Sequence, residues 1–247
     1  MIKLTGEVVG NVRKTLKGIN THGDDTDNII STVCGVPEQV DRFVSVVSLS
    51  SRYIGEVGDV VVGRVKEVSG SRWKVDIGAY QDGIILLSNV TLPGVLRKRE
   101  RVDELGMRSL FSEGDIVVCE VQKVFHSSTI SLHTRSVEKH GKMNQGFLFC
   151  TSPFLIPHTN KHFHRLKANP HIRMVIGVNG YIWVDCFGQE QQYMDMARVH
   201  SALTLLSRAG CVVHFAALER IVCMAKQSEV SPYAMLSKQF HDMLQLD

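Results

Sequence analysis

The sequence has no pair of cysteines at the spacing of a redox or zinc motif, although it contains six cysteines among 247 residues. Most of them lie in apolar runs, where a free thiol packs as a small hydrophobe. They are Cys34, Cys119, Cys150, Cys186, Cys211 and Cys223. Long apolar runs are also missing, since no stretch approaches the roughly 18 uninterrupted apolar residues of a membrane-spanning helix. We therefore predict a protein of a reducing compartment that is not secreted and does not cross a membrane.

A strong excess of one charge is missing too. The chain carries 28 Lys and Arg against 25 Asp and Glu, which gives a formal net charge of +3 at pH 7. As a whole, such a chain attracts nucleic acid only weakly, so any surface that binds RNA must be local. The length allows one to three domains.

Recognisable catalytic motifs are absent. The chain has no GxSxG, Walker loop or HExxH pattern, and no carboxylate cluster suited to catalytic metal ions. Asp24, Asp25 and Asp27 stand beside a glycine, which is typical of a solvated loop. An imidazole-rich patch lacks a Cys or carboxylate at ligand spacing, and we interpret it as an RNA contact or a plain surface. It comprises His158, Lys161, His162, His164 and Arg165. We predict no enzymatic activity, no cofactor and no metal.

The most regular stretch runs from Gly58 to His133. It contains five short runs rich in Val and Ile, separated by turn-forming residues, at positions 60–68, 72–75, 83–87, 115–124 and 129–133. Each run predicts a β-strand, and a long insertion separates the third from the fourth. Five strands in this arrangement favour a small Greek-key barrel of the OB type, which closes on itself.

Barrels of this type bind single-stranded nucleic acid with aromatic side chains and cations on the second and third strands. The candidates are Trp73, its neighbours Arg72 and Lys74, and Tyr80 in the following turn. A base stacks on an aromatic ring and an adjacent cation neutralises the phosphate. Alternation along the strand leaves a second interpretation open, in which Trp73 belongs to the core.

The densest positive run lies inside the long insertion. It consists of Arg97, Lys98, Arg99 and Arg101, with Arg108 a little further on. One interpretation is a segment that holds RNA phosphates with an affinity that falls steeply with salt. The other is a solvated helical face whose cations pair with nearby carboxylates.

A polar linker is predicted over residues 138–146, and a third domain follows it. Within this domain Gly177-Val178-Asn179-Gly180 lies between two β-favouring runs. A GxxG loop in a KH domain clamps the nucleic-acid backbone, whereas Asn-Gly between strands suits a tight hairpin turn with a packing or interdomain role. Helices are predicted around 196–206, ending at Gly210, around 218–225, and from Ser231-Pro232 through Phe240 and Met243.

The run from Arg52 to Asp59, followed by Val-Val-Val-Gly-Arg-Val and Trp73, resembles the start of the S1 domain in the RNA exosome cap subunit family called ribosomal RNA-processing protein 4. Residues 131–136, Ser-Leu-His-Thr-Arg-Ser, resemble the end of that domain, and Gly177 to Gly180 resemble the family's GxNG signature. The predicted fold is multidomain β and α+β. It has a small N-terminal β domain at 1–55, a five-stranded OB-fold (S1) barrel at 56–137 and a KH-like α+β domain at 145–247.

The resemblance implies a non-catalytic cap subunit that binds single-stranded RNA and guides its 3′ end into the pore of a ring. The implied partners are RNase PH-like ring subunits, which the N-terminal β domain clamps, other cap subunits and 3′-5′ exoribonucleases. The implied location is the nucleus and nucleolus, and also the cytoplasm. Two other hypotheses stay open at this point: a free-standing S1/KH RNA-binding protein, and a structural subunit that touches little RNA.

Overall fold

The structure is a computed structural model, and it describes residues 2–48, 51–91, 104–135, 140–167, 169–186, 190–237 and 240. The chain divides into two compact units, Met1–Ser51 and Arg52–Asp247. None of the described helices has both the length and the apolar character that a membrane span requires.

The N-terminal unit consists of six short strands in two three-stranded sheets. The first sheet has the order β1-β4-β3 and the second the order β2-β6-β5. The strands are β1 Val8–Asn11, β2 Leu16–Lys17, β3 Thr21–Gly23, β4 Asn28–Ser31, β5 Gly35–Val40 and β6 Phe43–Ser48. These strands agree with the small β domain predicted for this region. Only three apolar side chains are buried among the described residues of this unit, Ile29, Val44 and Val46.

The predicted five-stranded barrel is confirmed. Its strands are β7 Val60–Ser69, β8 Arg72–Asp76, β9 Gly83–Val90, β10 Ile116–Val124 and β11 Ile130–Thr134. They follow the order β11-β9-β8-β7-β10, and a further pairing of β10 with β11 closes the barrel. The short helix α1, Met107–Leu110, lies in the connection between β9 and β10.

The first four residues of strand β7 are buried on both faces of the strand. Val61, Val65 and Val68 point into the barrel core, where Trp73 is the largest fully buried side chain. Val60 and Val62 face the other way and belong to a separate apolar cluster. A strand of an isolated barrel has one solvated face, so this double burial indicates that a second layer covers the barrel.

The predicted linker contains a strand. Residues 141–143 form β12, Gly141–Met143, which pairs with the barrel strand β10 through Val117 and Lys142, among others. The prediction of a linker is therefore wrong for these residues. Polar composition misled it, because an edge strand needs few apolar side chains to hold its backbone hydrogen bonds.

The remaining residues form a KH-like α+β layer. Its four strands have the order β13-β16-β15-β14, with β13 Phe147–Cys150, β14 Phe163–Arg165, β15 Ile172–Ile176 and β16 Tyr181–Cys186. Helices α2, Glu190–Ala209, and α3, Phe215–Gln227, cover one face of this sheet and bury Leu203, Leu206 and Leu218 against it.

The end of helix α2 agrees with the sequence pattern, whereas the start predicted at Ser231-Pro232 does not begin an α-helix. Helix α2 stops before Gly210, whose φ of 68° lies in the left-handed region that favours glycine at this position. Of the third predicted helix, the structure shows a 3-10 turn at Ala234–Leu236 and a buried Phe240. Met243 lies outside the described residues.

Candidate nucleic-acid interface

Trp73 belongs to the barrel core. Its side chain is fully buried, its ring packs edge-on against Phe111 with centroids 5.3 Å apart, and its indole N–H donates to the Phe111 carbonyl at 2.9 Å. A base cannot stack on a ring that solvent does not reach. The prediction of Trp73 as an RNA contact is therefore wrong, and its physical reason is strand alternation, which turns Arg72 and Lys74 outward and the residue between them inward.

The outward neighbours of Trp73 lie on a surface of mixed charge. Arg72 is exposed, whereas the Lys74 ammonium donates to Glu67 on the adjacent strand at 2.7 Å. The hydrogen bond from Lys74 holds the pKa of the Glu67 carboxyl below its ordinary value, and the charge of Arg72 adds to the effect. RNA phosphates would have to compete with Glu67 for Lys74. Arg72 has no carboxylate within 4 Å among the described residues, so it is the cation better placed for a phosphate.

An exposed aromatic ring lies beyond the end of β8. Tyr80 is 69% exposed, and the Arg52 guanidinium lies 5.7 Å from its ring centroid. Lys66 stands nearby, bound to Asp82 at 2.7 Å. These residues line one shallow depression of the barrel surface. A solvent-facing ring with a guanidinium beside it is accessible to a stacking base, so Tyr80, unlike Trp73, is a candidate for this contact.

Of the cations predicted to hold RNA in the long insertion, only Arg108 lies among the described residues. Arg97, Lys98, Arg99 and Arg101 lie outside the described residues. Arg108, on α1, donates to Glu113 at 2.9 Å, and this bond raises the pKa of the guanidinium and lowers that of the Glu113 carboxyl. Arg108 thus matches the interpretation of a solvated cation paired with a neighbouring carboxylate.

Gly177 to Gly180 form the hairpin turn between β15 and β16, and Asn179 points into the barrel. The Asn179 side chain is 1% exposed. Its amide donates to the carbonyls of Val62 at 2.7 Å and Ile77 at 2.9 Å, and its side-chain oxygen accepts from the Val62 N–H at 3.2 Å. The Val178 N–H donates to the Val60 carbonyl at 3.1 Å. The turn therefore hydrogen-bonds to the barrel backbone and not to solvent, so it is not free to clamp RNA.

Close backbone contacts explain why glycine occupies both Gly177 and Gly180. A Cβ at Gly177 would lie 2.9 Å from the Val62 nitrogen and 2.9 Å from the Tyr181 carbonyl oxygen. Gly180 has a φ of 83°, and a Cβ there would collide with the Thr151 carbonyl. Only glycine fits where two backbones approach this closely.

An apolar cluster surrounds this contact between the barrel and the KH-like layer. Val60, Val62 and Val118 of the barrel pack against Val175 and Trp183 of the KH-like sheet. Tyr181 lies against Gly78, and burial there, together with the charge of Asp76, raises the pKa of Tyr181 to about 12. The barrel and the KH-like layer thus share a core.

A groove of about 800 Å³ runs along this shared interface. On the barrel side it is lined by β12 and the residue before it, and on the KH-like side by β14, β15 and β16. The lining includes three cations and two aromatic rings: Lys142, Arg165, Arg173, Phe163 and Trp183. We name it the S1–KH groove. Sequence reasoning pointed only to His164 and Arg165, because the other lining residues come from separated strands.

The electrostatics of the S1–KH groove are positive but partly compensated. Arg173 donates to Asp185 at 3.0 Å, and Lys142 lies 2.6 Å from Asp115. Arg165 has no carboxylate within 4 Å among the described residues. The indole N–H of Trp183 is buried and meets no acceptor among them. The Arg165 guanidinium beside Phe163 and Trp183 in the lining of the groove suits an anionic ligand that carries a planar ring.

Two family descriptions match parts of the chain. Residues 52–123 match the one described as RRP4, S1 domain, and residues 146–187 match a KH domain. A solved structure, an exosome complex RNA-binding protein, superposes with a TM-score of 0.51 at 18% identity and covers 72% of this chain and 98% of that one. At this identity the superposition supports the fold alone. The fold and the two matches define a protein built from S1 and KH modules.

Relatives along most of the chain give the family. The chain is 35% identical to the exosome complex component RRP4 homolog of Arabidopsis thaliana, over 92% of this chain and 79% of the relative. It is 44% identical to exosome complex component RRP4 of Saccharomyces cerevisiae, over 78% of this chain and 52% of the relative. It is 27% identical to exosome complex component Rrp4 of Methanosarcina mazei, over 88% and 81%. The chain belongs to the RRP4 family of exosome complex components, and it spans about half the length of the yeast relative.

Proposed function

We propose that this chain is a non-catalytic, RNA-binding cap subunit of an RNA exosome that guides the 3′ end of single-stranded RNA into the pore of the ring for processing and degradation. Membership of the RRP4 family is the observation that carries the proposal. Catalysis belongs to associated 3′-5′ exoribonucleases. The chain works in the nucleus and nucleolus and also in the cytoplasm.

The N-terminal unit supplies the contact with RNase PH-like ring subunits. A row of apolar side chains crosses its second sheet, because Leu16 and Val40 each pair with Phe43 on β6. All three are more than half exposed, at 51%, 61% and 52% in the order Leu16, Val40, Phe43. We name these residues the N-terminal apolar row. Neighbouring exposed apolar side chains of this kind favour a protein partner.

RNA is held by the other unit. Arg52 and Tyr80 on the barrel form one contact surface, Arg72 at the start of β8 supplies a further exposed cation, and the S1–KH groove offers a second contact surface. The cations are few, so we expect the isolated chain to bind RNA weakly and to rely on neighbouring subunits for avidity.

The test is purification of the tagged chain from native extract at moderate salt, with and without ribonuclease, followed by mass spectrometry. We expect RNase PH-like ring proteins to remain bound after ribonuclease treatment, because protein surfaces hold the assembly. Loss of all protein partners together with the RNA would overturn the proposal and favour a free-standing RNA-binding protein.

A further inference from the structure

Three potential metal ligands meet on the barrel next to the S1–KH groove. The Glu120 carboxylate lies 4.0 Å from the His133 Nε2 and 4.0 Å from the His140 Nδ1. All three ligand atoms lie within 4.8 Å of one another. This is the one group of three or more His, Cys, Asp or Glu side chains with such spacing within the described part of the chain.

Backbone pairing brings the three residues together. Glu120 on β10 and His133 on β11 are directly opposite each other in the antiparallel ladder. His140 immediately precedes β12, whose first residue, Gly141, pairs with Val118 on the same strand β10. The His140 side chain is 4% exposed, that of His133 14% and that of Glu120 35%. Three hydrogen-bonded strands therefore hold the donors with little freedom to separate.

The spacing matches a small divalent cation. An ion at the centre of a triangle with sides of 4.0 to 4.8 Å lies about 2.3 to 2.8 Å from each corner, against about 2.0–2.2 Å for Zn²⁺ bound to imidazole or carboxylate. An inward shift of about half an ångström per ligand closes this difference. Two imidazoles and one carboxylate form a donor set that Zn²⁺ uses, with a further position left for water or a ligand.

A backbone contact at His133 competes with the metal. The Arg135 N–H points at the His133 Nδ1 over 3.4 Å, at the long limit of a hydrogen bond. A metal on Nε2 requires the ring proton on Nδ1, so this contact would open. A neutral hydrogen bond of this length is weak, so its loss is small beside the gain of a metal–nitrogen bond.

We propose that Glu120, His133 and His140 bind one divalent transition-metal ion, Zn²⁺ by its chemistry, which fastens β12 to the barrel at the edge of the S1–KH groove. The ion stabilises the strand that carries Lys142 into the groove. The inference does not depend on RNA binding or on exosome assembly, and its test measures neither.

The test is titration of the full chain, treated with chelator and dialysed, with Zn²⁺ by calorimetry and with Co²⁺ by absorbance. We expect one equivalent of Zn²⁺ to bind and to raise the thermal unfolding midpoint, because the ion binds the folded chain. Glu120→Gln and His133→Gln should each weaken binding at least tenfold. The cobalt spectrum should show d–d bands without the strong thiolate band that any of the six cysteines would produce.

His158→Gln is the matched control, since His158 is an exposed histidine outside the cluster, and it should leave the affinity unchanged. Circular dichroism verifies the fold of each variant. His140→Gln should also weaken binding, but because His140 is buried this variant is the one most prone to unfold. Glu120→Gln, at a partly exposed position, then decides the result. Zn²⁺ binding of equal strength in the unsubstituted chain and in Glu120→Gln, or a cobalt spectrum dominated by thiolate, would overturn the proposal.

Discussion

The two units of this protein differ in how many of their apolar side chains are buried. Among the residues that the structure describes, the N-terminal unit buries three apolar side chains and exposes nine large ones, whereas the second unit, which we name the S1–KH unit, buries 44 and exposes twelve. Most of the large apolar side chains of the first unit therefore lie outside its small core. The second unit has one cluster of buried apolar side chains inside the barrel and another where the barrel meets the KH-like sheet. This difference supports the proposal that the N-terminal unit uses its exposed apolar side chains to contact a protein partner.

The largest effect should come from breaking the shared core of the S1–KH unit. Asn179→Ala would leave the Val62 N–H and the Val62 and Ile77 carbonyls without their side-chain partner. Each such buried group costs about 1–3 kcal/mol, so we expect the free energy of unfolding to fall by about 3 kcal/mol or more. Urea denaturation measures it, and hydrogen exchange at the Val62 amide should accelerate.

Asn160→Ala is the control for this change. Asn160 is exposed in a loop, and its truncation should alter the unfolding free energy by less than about 0.5 kcal/mol. An Asn179→Ala protein with the unfolding midpoint of the unsubstituted chain would mean that the turn does not join the barrel to the KH-like layer.

Substitutions in the N-terminal apolar row should weaken assembly and leave the stability of the chain almost unchanged. Val40→Lys combined with Phe43→Glu places an ion pair on two directly opposed residues of the N-terminal apolar row. We expect recovery of ring proteins from extract to fall at least tenfold, because charged side chains do not pack into an apolar contact, with unfolding changed by less than about 0.5 kcal/mol.

The control for the apolar row is Tyr233→Lys, a change at an exposed aromatic side chain of the S1–KH unit, which is 89% exposed. It should leave the recovery of ring proteins intact. Equal loss with both substitutions would show that the row has no special part in assembly.

A smaller effect should follow from acid. Burial raises the pKa of Asp195, but hydrogen bonds from Asn169, Arg198 and Lys226 outweigh it and hold the pKa below its ordinary value. A carboxyl with a lowered pKa stabilises the fold above its unfolded pKa of about 3.9, and this contribution disappears as the pH falls through the folded value. Asp195→Asn should therefore cost about 2 kcal/mol at pH 7, and the cost should shrink below about pH 4.

Denaturation curves between pH 3 and pH 7 measure this dependence. Asp25→Asn in the N-terminal unit, at an exposed loop position, serves as the comparison and should show no such trend. A cost for Asp195→Asn that stays constant with pH would contradict the role assigned to the carboxylate.

The smallest effect concerns the exposed ring of the barrel. Tyr80→Ala should weaken binding of single-stranded RNA about fivefold, since stacking on one aromatic side chain contributes about 1 kcal/mol or more, without a change in stability. Trp73→Phe should do the reverse, lowering stability by about 1 kcal/mol through loss of the bond to Phe111 and leaving RNA affinity unchanged. Fluorescence anisotropy with a labelled oligonucleotide distinguishes them. A larger loss of RNA affinity with Trp73→Phe would contradict the assignment.

Sequence patterns predicted the barrel well because its strands are short, apolar and bounded by turn residues such as Ser69-Gly70-Ser71. The same patterns could not orient Trp73, because one residue of register decides which face a side chain occupies. The GxNG turn was recognisable between two strands, but its partner Val62 lies 117 positions away. Glu120, His133 and His140 share no motif spacing, and only the pairing of β10 with β11 and β12 brings them together. Long-range register is what the sequence alone does not provide.

The double burial of β7 has a consequence for biosynthesis. The barrel is translated before the KH-like strands, so Val118, the last residue of the stripe that it forms with Val60 and Val62, is synthesised about 65 residues ahead of Trp183 on β16, which covers the stripe. At about 5–20 residues per second, the stripe is complete about 3 to 13 seconds before its cover is translated. In that interval the nascent chain exposes an apolar surface. A ribosome that stalls between the two modules would release a product prone to aggregation.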